Sequence, residues 1–226
     1  MCGRFTLATP AERIAEHFQL AAVPALAPRY NIAPSQPVAA VRAAEAGREL
    51  VWLRWGLVPS WARDPKIGYR MINARAESLA ERPAYRTALR RRRCLVPADG
   101  FYEWQTLAGA RQPWYIRLRD GEPFAIAGLW EHWQGDNGTV IDSVTLVTTT
   151  ANTLLAPVHG RMPVLLPADA YSAWLDPRLQ DTGRLSDLLQ PYPAESMSAY
   201  PVSRRVNDTR TDDRALLEPE PEAGRR

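Results

Sequence analysis

The sequence predicts an α+β fold, a β-rich single domain of twisted, largely antiparallel strands with peripheral helices. Its 226 residues suit one large domain, and 46% of them are hydrophobic, which is enough to build a core. Short apolar runs rich in β-branched and aromatic residues predict the strands. These runs cover residues 37–42, 50–55, 94–97, 101–105, 114–118, 124–130, 140–149 and 162–166.

Helix signals flank these runs. The first helix is predicted to begin at Thr9 as N-cap, with Pro10 at the first helical position and Glu12 completing a capping box. Ile14 and Phe18 then share a face that we expect to be buried. Further helices are predicted at residues 83–92, 167–175 and 184–189, and a loop at residues 30–35.

The chain ends in an acidic, proline-interrupted stretch. We therefore place the folded domain at residues 2–210 and expect residues 211–226 to form a disordered C-terminal tail. The tail carries five acids, Asp212, Asp213, Glu218, Glu220 and Glu222.

Arginine dominates the positive charge, because all basic residues except Lys66 are arginines and the formal net charge is +3. The guanidinium group suits phosphate contacts and stacking on bases, although a GC-rich genome would produce the same bias. The two cysteines, Cys2 and Cys94, lack the spacing of a disulfide scaffold. With no signal-peptide or membrane-spanning stretch in the sequence, we expect a cytoplasmic protein, near the nucleoid or the replication machinery, with no membrane partner.

Several kinds of site lack their sequence signatures. The three histidines and two cysteines form neither a CxxC pair nor an HExxH helix, so we expect no metal. No phosphate-binding loop, GxGxxG turn or GxSxG elbow is present, and we expect no cofactor.

The remaining chemical signal is the amino terminus, Met1-Cys2-Gly3-Arg4. Removal of Met1 would leave Cys2 with an α-amine of pKa about 7.7–8.0 beside a thiol of pKa about 8.5, and we expect both to be nucleophiles near neutral pH. An aldehyde can form an imine with the amine, and the thiol can then close a five-membered thiazolidine ring. Alone, a cysteine at position 2 is weak support for this chemistry.

Seven blocks, of which the amino terminus is the first, make the case specific: MCGRF, RYNIAPSQ, WGLVPSWA, MINARAE, RCLVPADGFYEW, HGRMPV and PVSRRVN occur in this order up to Asn207. In these blocks the chain resembles the SOS response-associated peptidase (SRAP) family, also called abasic-site processing proteins. The resemblance implies a β-rich fold that binds single-stranded DNA or single-strand to double-strand junctions. It also implies a covalent cross-link between abasic sites and the N-terminal cysteine.

The resemblance assigns the catalytic set residue by residue. Cys2 matches the nucleophile, Glu103 the catalytic carboxylate, and His159 a proton-transferring histidine. Asn73 matches a residue that holds either the Cys2 terminus or the deoxyribose oxygens. The division of proton transfers between Glu103 and His159 stays open, as does removal of Met1 by self-cleavage or by an aminopeptidase.

DNA contacts are expected close to this set. Arginines one or two residues from catalytic positions would meet the flanking phosphates, although surface solvation is an alternative. Trp61 is interpreted as a stacking platform or wedge, with a buried core tryptophan as the alternative. The complete DNA-binding set is Arg4, Asn31, Pro34, Ser35, Pro59, Trp61, Arg75 and Arg161.

We expect the protein to act as a monomer. Two other functions compete with lesion capture. Class II glutamine amidotransferases also begin with Met-Cys-Gly, so an N-terminal-nucleophile cysteine hydrolase is one alternative. The other is a non-covalent single-stranded DNA binder in which Cys2 is incidental.

Overall fold

Two β-sheets form the framework of the computed structural model, which describes residues 2–22, 26–107 and 109–220. The strands of these residues are β1 (Arg4–Leu7), β2 (Arg29–Ile32), β3 (Pro37–Ala44), β4 (Gly47–Trp55), β5 (Asn73–Arg75), β6 (Arg93–Ala98), β7 (Gly100–Leu107), β8 (Ala110–Leu118), β9 (Phe124–Gln134), β10 (Val140–Thr150), β11 (Arg161–Pro163), β12 (Leu165–Leu166) and β13 (Met197–Pro201). The α-helices are α1 (Ala11–Phe18), α2 (Arg86–Arg91), α3 (Tyr171–Leu175) and α4 (Thr182–Asp187). Short 3-10 helices occupy Pro65–Arg70, Ala76–Ser78, Ala168–Ala170, Ala194–Ser196, Arg204–Asn207 and Arg214–Leu217.

The larger sheet closes on itself as a five-stranded barrel. Its strands follow the order β10-β4-β3-β6-β9, and β9 pairs again with β10. All pairings are antiparallel except those of β10 with β4 and with β5, which are parallel. Closure leaves these five strands without a free edge and encloses a core of aliphatic side chains. The predicted β-rich α+β fold is confirmed.

The smaller sheet, β13-β8-β7-β1-β2, packs against this barrel. Phe5 of β1 meets Trp55 at the end of β4 edge to face, with ring centroids 5.3 Å apart. Because successive side chains of a strand point to opposite faces, β7 is buried on both sides. Phe101 joins the main core, whereas Tyr102 packs with Val206 in a second cluster.

The helices are shorter than predicted, and the cap assigned to the first one is wrong. Helix α1 begins after Pro10, which has no side-chain cap hydrogen bond. The Thr9 hydroxyl and the Thr9 amide instead both donate to the carboxylate of Asp99, which lies between β6 and β7. Ile14 and Phe18 are buried, as predicted.

The other helix boundaries also differ from the predicted ones, with α2 and α3 shortened and α4 moved two residues toward the N-terminus. Residues 83–85 lie outside α2, residues 167–175 divide into a 3-10 turn and α3, and α4 begins at Thr182 behind the capping carboxylate of Asp181. The loop predicted at residues 30–35 is wrong in its first half, because β2 pairs with β1 there. Strands this short depend on their neighbours for hydrogen bonds and leave little sequence pattern.

The C-terminal boundary at residue 210 is also wrong, because residues 211–220 pack against the smaller sheet. Leu216 is fully buried in the cluster of Tyr102 and Val206. Asp212 accepts from the Arg29 side chain at 2.6 Å, and the Glu220 amide donates to the Pro201 carbonyl at 2.8 Å. Asp212 pairs with Arg29, and Asp213 pairs with Arg205 and caps the 3-10 helix Arg214–Leu217, so acidic composition did not indicate disorder. Residues 221–226 of the predicted tail lie outside the described residues.

The longest α-helix in the described ranges has eight residues, and none of them has the length and apolarity required to cross a membrane.

Substitution Leu216→Ala tests whether the C-terminal segment belongs to the fold. Removing this buried side chain should lower the free energy of unfolding by about 2–5 kcal/mol, because it leaves a cavity among aromatic rings. Urea denaturation of the full chain measures the change. The exposed neighbour Glu218, changed to Ala, serves as the matched control and should stay within about 0.5 kcal/mol of the parent. Equal stability of both variants would show that the segment adds nothing to the core.

Candidate active site

Cys2 lies immediately before β1 and is held by its backbone. The Asn73 side-chain amide donates to the Cys2 carbonyl at 2.7 Å. Asn73 is the first residue of β5 and pairs in parallel with Leu146 of β10. A barrel strand therefore fixes the position of the amino-terminal residue. Met1, which is predicted to be removed, lies outside the described residues.

The Cys2 thiol is fully buried in the chain that carries Met1. Burial raises its pKa, and the nearby charge of Glu103 raises it further. In the chain that carries Met1 the thiol is therefore a weak nucleophile near neutral pH, and the expected reactivity of Cys2 after Met1 is removed stays a prediction. A thiol in this environment stays protonated and needs a base before it reacts.

Glu103 is placed beside Cys2 by strand register. Arg4 of β1 pairs with Tyr102 of β7, and Glu103 is the next residue along β7 toward the amino-terminal end of β1. Its side chain is buried. Burial raises the pKa of this carboxyl group, while the nearby His159 acts in the opposite direction.

His159 follows a turn whose amide-to-carbonyl hydrogen bond joins His159 to Leu155 at 2.9 Å. The Arg161 backbone N–H donates to His159 Nδ1 at 3.0 Å. The same ring nitrogen lies 3.2 Å from the Arg161 carbonyl oxygen. The residue is half-buried. The turn thus holds the imidazole against the backbone of Arg161.

Arg161, on β11, is anchored rather than freely solvated. It forms a two-pronged ion pair with Glu77 at 2.6 and 3.0 Å, and it donates to the Thr148 carbonyl at 2.7 Å. The pair lowers the pKa of Glu77. Arg75, at the end of β5, is exposed. Arg75 lies two residues after Asn73, and Arg161 lies two residues after His159. Glu77 and the Thr148 carbonyl hold Arg161 in place, whereas the Arg75 side chain faces solvent.

An open groove of about 510 Å³ is lined by Gly3 and Arg4, the two residues that follow Cys2. Its lining includes two predicted DNA contacts, Arg4 and Pro34. The other lining side chains are Trp104, Arg111 and Asn207, none of which is among the residues predicted from the sequence. Trp104 and Asn207 belong to the quoted FYEW and SRRVN blocks, which were a usable signal, whereas nothing in the sequence marks Arg111.

The burial of Asn31 contradicts its assignment to the predicted DNA-binding set. It is fully buried, and its amide donates to the carbonyls of Val206, Asp208 and Thr211. Its oxygen accepts from Arg4 at 2.7 Å. Asn31 therefore supports the groove from beneath and has no surface to offer a nucleic acid.

Arg4 is likewise held within the wall of the groove. It donates to the Val206 and Asn207 carbonyls at 2.6 and 3.3 Å, and its guanidinium lies 6.0 Å from the centre of the Trp104 ring. The Trp104 indole donates to the Asn207 side-chain oxygen at 2.8 Å. The wall is therefore built before any ligand binds.

The remaining predicted contacts lie outside the groove lining. Ser35 has a left-handed backbone, with φ of 71°, and its amide donates to the Trp55 carbonyl. Pro59 is buried, which contradicts its assignment as a DNA contact. Trp61 is 61% exposed, so its alternative interpretation as a core tryptophan is wrong.

No three His, Cys, Asp or Glu side chains of the described ranges group as ligands for a metal ion.

Known proteins match nearly the whole chain. The abasic site processing protein YoqW of Bacillus subtilis (strain 168) is 43% identical over 222 residues, covering 96% of this chain and 99% of YoqW. The abasic site processing protein HMCES of Gallus gallus is 33% identical over 224 residues, covering 85% of this chain and 66% of HMCES. A crystal structure of a protein from Bacteroides thetaiotaomicron shares the fold, with a TM-score of 0.85 at 24% identity over 97% of this chain and 100% of that one.

The model of one protein family, described as SOS response associated peptidase (SRAP), matches residues 1–209. These residues include Cys2, Asn73, Glu103 and His159. The match covers both sheets, and the chain belongs to the SRAP family.

Proposed function

We propose that this protein processes abasic sites in DNA by capturing their aldehyde covalently on Cys2. The observation that carries the proposal is the fixed Cys2 backbone, held by Asn73 at 2.7 Å with Glu103 and His159 in electrostatic range. The relatives named abasic site processing proteins support the choice of substrate.

Capture begins with removal of Met1, either by hydrolysis within the protein itself or by an aminopeptidase. The product is a terminal α-amine on the carbon adjacent to the one that bears the thiol. An abasic deoxyribose is closed for most of the time and must open to expose its aldehyde. His159, whose imidazole is half-buried at this turn, is suited to transfer the proton for that opening.

The amine attacks first, because the buried thiol is protonated. Addition of the amine to the aldehyde carbon gives a carbinolamine, which loses water to form an imine. The thiol sulfur then bonds to the imine carbon as its proton leaves, and the imine nitrogen gains a proton. The sum is aldehyde plus aminothiol giving thiazolidine plus water, with no oxidant or reductant.

Glu103 is the candidate base for ring closure. Its carboxyl group has a raised pKa, so it can take the thiol proton and return it to the imine nitrogen near neutral pH. Asn73 acts as a positioning residue because it binds the Cys2 carbonyl and not a reacting atom. Capture of this kind is suicidal, and each molecule reacts once.

Single-stranded DNA fits the open groove, where the Trp104 ring can stack on an unpaired base. Arg75 and Arg161 are proposed to meet phosphates beside the lesion, Arg4 and Pro34 to form the wall, and Trp61 to meet a base at a junction with duplex DNA. A free thiol requires a reducing compartment, which agrees with a cytoplasmic protein acting on the chromosome.

Mixing the Met1-processed protein with a single-stranded oligonucleotide that carries one abasic site tests capture. A protein–DNA band should persist on a denaturing gel, because the thiazolidine is covalent. Cys2→Ala should abolish the band. Cys2→Ser should give only a band that appears after borohydride reduction, because its hydroxyl closes the ring poorly.

The undamaged oligonucleotide is the control and should give no band. The absence of a band from the processed parent protein would rule out covalent capture. A stable Cys2→Ser band without reductant would instead contradict the ring mechanism.

Substitution Glu103→Gln should slow cross-linking about 10²–10⁴-fold, because the base for ring closure is lost. Single-turnover gels across pH 5–8 measure the rate. In the parent protein the rate should fall as pH drops through the raised pKa of Glu103, and the variant should lack this acidic limb. The matched change Glu131→Gln, at a buried glutamate paired with Arg92, should leave the rate unchanged in protein that remains folded.

Substitution Glu103→Gln should also raise the free energy of unfolding in neutral buffer. Folding raises the pKa of Glu103, so its contribution to stability is present below the ordinary glutamate pKa and is lost as pH rises through the folded value. A neutral glutamine avoids that loss, and thermal unfolding should show the gain shrinking toward low pH. A lower free energy of unfolding for Glu103→Gln at pH 7 would mean that burial of the Glu103 carboxylate does not destabilise the fold.

Arg75→Gln should weaken non-covalent binding to single-stranded DNA and reduce the dependence of log affinity on log salt by about 0.7, the value for one phosphate contact. Fluorescence anisotropy at several salt concentrations measures both changes. Arg119→Gln, at an exposed arginine on the turn after β8, is the control. An unchanged salt slope for Arg75→Gln would remove it from the interface.

A further inference from the structure

A second surface exposes aromatic rings and positive charge. Trp52 on β4 is 50% exposed and Tyr69 is 59% exposed. Large aromatic side chains left uncovered in this way usually mark a binding surface when they are grouped with other contact residues. The surface, which we call the 52–70 face, consists of Trp52, Arg54, Arg63, Lys66, Tyr69 and Arg70.

The charge on the 52–70 face has one sign. The segment contains four basic residues and a single acid, Asp64. The Asp64 carboxylate accepts from the Lys66 amide and so caps the 3-10 helix Pro65–Arg70. Across the described ranges, none of the four cations forms an ion pair, whereas Arg13, Arg29 and Arg161 each do. The positive field of the face is therefore not neutralised by neighbouring carboxylates.

The backbone beneath the face is fixed by close packing. Gly56 has φ of 127°, and a Cβ there would lie 2.6 Å from the carbonyl oxygen of Gly68. The Trp133 indole donates to the Ala62 carbonyl at 2.6 Å. The Arg54 guanidinium lies 5.1 Å from the centre of the Tyr69 ring. The rings and cations are thus presented by a rigid scaffold, which lowers the entropy that a ligand must overcome.

The segment runs toward the candidate active site at its C-terminal end. Three residues after Arg70, Asn73 holds the Cys2 carbonyl, and the Trp55 indole within the segment donates to the carbonyl of Ile72, the residue before Asn73. A hollow of about 480 Å³ is lined by Trp61 together with three cations of the face, Arg63, Lys66 and Arg70.

We propose that the 52–70 face binds an unpaired stretch of the same DNA strand after it leaves the active site. Unpaired bases would stack on Trp52 and Tyr69, and the cations would hold the intervening phosphates. Exposed ring faces favour single-stranded over duplex DNA, because paired bases present only their edges in the grooves. This inference rests on the proposed function for the direction from which the strand arrives.

Oligonucleotide length separates the face from the lesion site. Trp52→Ala and Arg54→Gln are compared with the parent, and Arg184→Gln, at an exposed arginine on α4, is the matched control. Each protein is tested with single strands of about 6 and about 24 nucleotides, a range that spans the site sizes of single-strand binding domains. Anisotropy measures binding of undamaged strands, and gels measure cross-linking of abasic ones.

Trp52→Ala should weaken binding of the long strand about fivefold or more, which is the lower end of the range for one base stack. Arg54→Gln should lower the salt slope by about 0.7 on the long strand only. Both variants should cross-link the short abasic strand at the parent rate, which also shows that they are folded.

An equal loss on short and long strands, or no loss on either, would overturn the proposal. A loss that appears only when the strand beyond the lesion is made duplex would assign the face to paired DNA instead. If the parent fails to cross-link any abasic strand, the proposed function fails, while the length-dependent binding of undamaged strands still decides the role of the face.

Discussion

The hydrogen bond from the Asn73 amide to the Cys2 carbonyl is the constraint on which the site depends. A chain terminus is ordinarily the least ordered part of a domain unless it is tied down. Here the tie comes from β5, which is itself fixed by pairing with β10. Since β10 also pairs with β4, β9 and β11, the terminal cysteine is positioned by the most connected strand of the barrel.

Burial raises the pKa values of two ionisable groups in this site and also lowers the stability of the fold. Removing Glu103 from water raises the pKa of its carboxyl group, and the thiol of Cys2 is raised by the same cause. The proposed ring closure uses this pair, because it requires a proton to pass from the thiol to the carboxylate. A neutral or apolar residue in place of Glu103 would pack at lower cost, so the carboxylate is retained against the stability of the fold.

The groove next to Cys2 is assembled from distant parts of the chain. Arg4 and Asn31 come from the first two strands, and their partners are backbone carbonyls between residues 206 and 211. The packing of Leu216 holds the following segment against the same sheet. The C-terminal segment is therefore part of the wall along which a strand of DNA would lie.

The sequence by itself determined the β-rich class, most of the longer strands and the identity of the four candidate catalytic residues, because alternation and the quoted motifs are local signals. It did not determine the short strands β1, β2, β5 and β13, whose hydrogen bonds come from partners far along the chain. Nor could it show that Asn31 and Pro59 are buried while Trp61 is exposed. Only the tertiary structure decided which polar side chains support the groove and which face solvent, because burial and pKa depend on neighbours that sequence distance does not reveal.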